Sequence, residues 1–194
     1  MKKRSILIIC LMILTLVFAG CGADASGNAE GGSKNTEEAA TIFNNIWNLY
    51  GEADLFPVLG GDLANMVSDA PGKFDLSDAD GLTYQLYIPA TDVDMIEDAA
   101  SAMHAMNSNT FTGCVIKLRN GVDKNKFAAD LKANIDSTQW VCGSPEKLII
   151  ASTSDNDIIY GFGAADIIDS FKDKLMKAYP SAKALYEEDI VLGF

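Results

Sequence analysis

Thr110-Phe-Thr-Gly-Cys-Val-Ile-Lys-Leu-Arg119 is the stretch on which the fold of this chain turns. Cys114, Ile116 and Leu118 alternate onto one side, and Phe111 and Val115 fall on the other. Apolar groups on both faces predict a central strand, since a strand at the margin of a sheet usually keeps one polar face. Toward the C-terminus, Asn120-Gly121 forms a turn pair and Asp123 is placed to cap a helix to about Asp136. Its buried stripe is Phe127, Ala128, Leu131 and Ile135, at helical spacing. After Trp140-Val-Cys-Gly143, two further strands, 147–152 and 158–162, flank the polar turn 153–157 and read as a hairpin. A last helix begins near Ala165, buries Ile167, Ile168, Phe171 and Leu175, carries Lys172, Lys174 and Lys177 toward its negative end, and stops before Pro180. Gly161 and Gly163 precede that helix, but the later glycine and lysine of a phosphate loop are missing and Asp166 would repel an anion.

Toward the N-terminus, Leu82, Tyr84, Leu86 and Ile88 alternate with Thr83, Gln85 and Tyr87, the period of a half-buried strand that Pro89 ends. Asp92 or Asp94 then caps a predicted helix to about Met106, with Ile96, Ala99, Ala100 and Met103 inward and His104 at the border of that face. Asn107 to Asn109 make a turn. Residues 52–81, broken by Pro57, Gly60-Gly61 and Pro71-Gly72, read as loops with one helical turn near Asp62 to Ser68. A first helix starts at Glu37, with Phe43, Ile46, Trp47 and Tyr50 on its docking face and Gly51 as its stop. The order predicts one α+β domain over residues 37–194: a four-stranded, largely antiparallel or mixed sheet with helices packed on one face.

Chemistry is harder to find. Between Glu52 and Asp98 stand eleven acidic residues and one cation, Lys73. The densest part, Asp75, Asp78 and Asp80 before Gly81, invites comparison with a calcium loop, whose carboxylates are held around a sharp glycine turn. With Gly81 in the glycine position the first ligand would be Leu76 and the twelfth Tyr87, so the pattern fails. His104, the only histidine, with its neighbouring methionines and two distant cysteines has no metal-ligand spacing and no defined nucleophile–base partner. No catalytic residue, metal site or cofactor is assigned. The function class favoured is a noncatalytic binding module; the alternative is an exported enzyme whose site has no recognisable sequence pattern.

The first 20 residues give an address. Lys2, Lys3 and Arg4 precede the apolar run from Ile6 to Phe18. As a helix, that run would reach roughly 20 Å, short of the about 30 Å hydrocarbon core of a bilayer. It suits the hydrophobic part of a removable signal. Phe18-Ala-Gly-Cys21 resembles the bacterial lipobox, with Phe18 where leucine is usual. The resemblance implies a diacylglycerol thioether on Cys21 and cleavage after Gly20. Residues 1–20 are then the signal, and Cys21 to Thr36, rich in Gly, Ala, Ser and Asn, is a tether with an r.m.s. span of roughly 20 Å. Loss of three cations from 15, against 27 acids, takes the net charge from −12 to −15. That balance excludes nucleic acid as a partner, because phosphates need a basic surface, and disfavours flat docking on an anionic leaflet. Export also permits a Cys114–Cys142 disulfide, but spacing alone does not bring the two together, and two buried thiols acting as small hydrophobes are the favoured reading.

The pieces Val115 to Gly121, the helix ending Lys132-Ala-Asn-Ile135, and Trp140-Val-Cys142 together resemble a family of uncharacterised lipoproteins of Gram-positive anaerobes. The resemblance covers His104 to Tyr179. It implies an α+β domain held at the extracytoplasmic face of the cell membrane by its lipid, and it brings no particular activity with it. The expected partners are the membrane, through the anchor, and an envelope protein or extracellular ligand.

Overall fold

The computed structural model describes residues 37–153 and 156–190. The signal, Cys21 and tether expected over residues 1–36 lie outside the described residues. Within residues 110–119, Phe111–Leu118 forms β5, the centre of the sheet. It lies between β4 (Ile96–His104) and β7 (Asp157–Gly163), both antiparallel to it. β6 (Lys147–Ser152) closes the expected hairpin with β7. The sheet runs further than four strands. β1 (Val58–Gly60) pairs with the end of β4, β2 (Val67–Ser68) pairs with β1, and β3 (Gly72–Lys73) takes the next segment of the same β4 edge. At the other margin, β8 (Lys183–Asp189) pairs with β6. The result is an eight-stranded sheet of order β2-β1-β4-β5-β7-β6-β8, with β3 also on β4, and every pairing is antiparallel.

Helices cover both faces, not one. On the first face, α1 (Ala39–Trp47) and α4 (Ala165–Ala178) pack over Ala100, Ala102, Phe111, Val115, Ile149 and Ile159. On the second, α2 (Ala79–Tyr84) and α3 (Lys124–Asp136) contribute Leu82, Phe127, Leu131 and Ile135 to a core with Cys114, Ile116, Leu148, Ile150, Tyr160 and Phe162. The alternation along β5 was visible beforehand, and its consequence is this second layer: each apolar face needs a cover. Asp123 caps α3 as expected, accepting from the backbone N–H groups of Asn125 and Lys126. Gly161, which sits before α4, has a packing role. A Cβ there would come within 3.2 Å of the Phe171 ring, so its absence lets α4 lie close on β7.

Two assignments change. The stretch Leu82 to Ile88 is not a strand; Asp78 Oδ1 accepts from Gly81 N at 2.8 Å and starts α2 instead. A strand would put Tyr84 on the same side as Leu82 and Leu86, yet Tyr84 is 76% exposed while both leucines are fully buried. The i, i+4 relation of the leucines is helical. Conversely, Ile96 to His104 is strand, not helix. Its alanines have high intrinsic helix propensity, but position in the sheet decides. Ala99, Ala100, Ser101 and Ala102 are all fully buried, on alternating faces, and small side chains there let α1 approach β4. Asp98 fixes that approach by accepting from the Ala39 N–H at 2.8 Å.

Candidate functional site

Two clefts compete. The larger, about 500 Å³, is the acidic one, lined by Asp62, Lys73, Asp75, Glu97 and Asp98 among others. Most of its carboxylates already serve the fold. Asp62 accepts from the N–H groups of Ala64, Asn65 and Asp75 and from the Asn65 amide. Asp98 holds α1 and lies 3.7 Å from Lys73, and Asp75 accepts from Ser77 N. Asp78 is spent on the α2 cap. Among the described residues no group of three His, Cys, Asp or Glu side chains converges as a metal site would.

The second cleft, about 450 Å³, is built at one end of the sheet by three segments distant in sequence. These are Tyr87 after α2, Met106 to Asn109 between β4 and β5, and Thr138 to Cys142 between α3 and β6. Its volume falls in the ordinary range for small-molecule sites, about 300–1,000 Å³. Tyr87 stands in the left-handed region at φ 58°, which a bulky side chain rarely adopts. The structure around it is firm. Asn134 Nδ2 donates to Tyr87 O at 2.7 Å, the buried Tyr160 hydroxyl donates to Leu86 O at 2.5 Å, and the Tyr87 ring meets Phe162 edge-on at 5.2 Å. Trp140 lies against the same ring, with centroids 5.0 Å apart, so the two half-buried aromatics form one wall. Burial raises the Tyr87 hydroxyl above its usual pKa and keeps it neutral in the physiological range.

Asparagine side chains hold the opposite segment in place. Asn109 Nδ2 donates to Val141 O at 2.9 Å and to Gly143 O at 2.6 Å, and Asn107 Nδ2 reaches Cys142 O at 3.4 Å. Cys142 is itself left-handed, at φ 65°. Two strained non-glycine residues thus line one cleft, a pattern found where surrounding contacts over-determine a functional surface. The rim carries Met106 and Val141, 84% and 76% exposed. Among the described residues, the Trp140 indole N–H, the Tyr87 and Ser108 hydroxyls and the Gln139 amide have no intramolecular hydrogen-bond partner.

The two cysteines are apart in kind as well as place. Cys114 is fully buried in β5 opposite Tyr160, and burial pushes its thiol up to about 12; Cys142 is exposed, and both thiols are free, so no Cys114–Cys142 bridge is present. His104 ends β4, where its Nδ1 accepts from Met106 N at 3.2 Å and its ring stacks on Phe56 at 5.8 Å. It shapes the turn into the 106–109 segment. In the sequence Trp140 to Cys142 is legible only as a motif, with Cys142 a disulfide candidate, Asn107 to Asn109 as a turn, and Tyr87 as the polar side of a strand. No spacing rule joins three segments that only the topology brings together. Compared with known proteins, the chain matches no family model, no curated protein and no solved structure.

Proposed function

We propose that this is a lipid-anchored extracytoplasmic binding protein: residues 1–20 are removed, Cys21 carries the lipid, and the α+β domain presents its cleft to a ligand at the cell envelope. The observation that carries the reading is the basic, apolar and small-small-Cys succession of Lys2 to Cys21. Among the described residues no helix is long and apolar enough to cross a membrane. The binding half of the proposal is supported by a preformed cleft with polar groups not committed to the fold. Cys21→Ala should abolish incorporation of labelled fatty acid and leave the protein either released from the membrane fraction or retained as the longer, signal-bearing form. Full labelling and normal mature size in that variant would exclude Cys21 as the attachment point.

A further inference from the structure

We propose that the Tyr87–Trp140 cleft binds a neutral, hydroxyl-rich ligand of the saccharide class, which names the ligand of the binding protein proposed above and rests on that reading. The first ground is charge. In a chain that is 22% charged, none of the residues lining this cleft carries a formal charge at neutral pH. An anionic ligand finds no cation to pair with there and a cationic ligand no carboxylate, so burying either charge would go uncompensated. A neutral ligand avoids that cost.

The second ground is the kind of contact on offer. A pyranose ring has an apolar C–H face and a rim of hydroxyls, each both donor and acceptor. Tyr87 and Trp140 supply adjacent aromatic surface for the face. The Trp140 N–H donates only, the Gln139 amide donates and accepts, and the Tyr87 and Ser108 hydroxyls do both, which matches a ligand rim of mixed polarity. Third, the cleft is preorganised. Asn107 and Asn109 pin the 141–143 backbone, so little loop ordering opposes binding. A peptide is the less suitable occupant. The strands that the cleft-lining segments join, β4, β5 and β6, are paired on both sides, so no open strand edge is available there for an extended main chain.

The test uses the lipidated protein as processed, beginning at Cys21, purified in a detergent without a sugar headgroup. Neutral hexose and N-acetylhexosamine oligomers, a uronic acid oligomer and an uncharged peptide are titrated by calorimetry and by tryptophan emission. Trp47, 5% exposed, serves as the buried reference and Trp140 as the reporter. We expect saturable binding of a neutral oligosaccharide with a change in Trp140 emission. Trp140→Ala should weaken it about 30-fold, the loss a central aromatic contact brings. Because Trp140 also packs on Phe162, that variant is paired with Gln139→Ala, whose exposed side chain has no structural partner. Gln139→Ala should weaken binding about fivefold, one neutral hydrogen bond, with an unchanged melting temperature. Absence of neutral-saccharide binding, preference for the uronate or the peptide, or affinity unaffected by both variants would overturn the proposal. The two proposals fail separately. Hydrolysis of the bound oligosaccharide would keep the ligand and refute the noncatalytic reading, whereas lipid on Cys21 with no saccharide bound would keep the anchored location and refute the ligand.

Discussion

Phe171→Ala should lower the stability of the domain by about 3–5 kcal/mol, the loss that truncation of a fully buried aromatic brings. In a domain of this size that is on the order of 10 °C in melting temperature. Phe171 is fully buried at the junction of α4 with the sheet. Its ring meets Phe43 of α1 at 5.9 Å and Phe111 of β5 at 5.6 Å, both edge-on, and Phe111 continues to Phe56 at 5.2 Å. Removing it opens a cavity beside Gly161, which has no side chain to relax into the space. Asp173→Ala, two positions on and exposed, is the control and should stay within about 0.5 kcal/mol of the parent. A loss below about 1 kcal/mol for Phe171→Ala, measured by denaturant titration with an unchanged slope, would mean that α4 is not seated on the sheet in this way.

Asp62→Asn is expected to have the second-largest effect and a distinctive pH dependence. Asp62 is buried just after β1. Burial alone would raise its pKa, but the Asn65 amide and the N–H groups of Ala64, Asp75 and Asn65 outweigh it and hold the carboxyl below its usual value. The folded pKa is therefore lower than the unfolded one. The stabilisation is fully present above the unfolded value of about 3.9 and is lost as pH falls through the folded value. Asparagine keeps one acceptor oxygen and turns an NH₂ toward backbone donors, which should cost about 2 kcal/mol at neutral pH. The gap between parent and variant should close on acidification below about pH 4. Parallel stability curves from pH 7 to pH 2 would show that the ionised carboxylate contributes nothing there.

The sequence was legible where local pattern and tertiary environment agree. β5, α3 with its Asp123 cap, the β6–β7 hairpin and α4 all carry a clear period, and each occupies the position its period implies. β4 looks helical in sequence because Ala100 and Ala102 are small where α1 packs on them, and a run of small residues has no strand signature when the neighbour that requires thinness is unknown. Around α2, Leu82, Leu86 and Ile88 fit two periods over so short a stretch, and only the exposed Tyr84 separates them. β8 shows no alternating apolar period: Leu185 and Tyr186 are adjacent and only partly buried, and acids follow them in this edge strand. Its acids are held by cations from elsewhere, Glu187 by Lys172 and Lys147 and Glu188 by Lys132, and charge on an edge also discourages pairing with another chain. Short β1, β2 and β3 have too few residues for any period. The cleft was illegible for a different reason. Its chemistry comes from single residues, Tyr87, Ser108, Gln139 and Trp140, on three connections whose meeting depends on the strand order.

The proposal that this domain works from a lipid anchor is tested most directly by intact-mass spectrometry of the protein extracted from native membranes. The expected chain begins at Cys21, with the mass of residues 21–194 increased by a thioether-linked diacylglycerol. A chain that retains residues 1–20, or one that begins at Cys21 with an unmodified thiol, would contradict it.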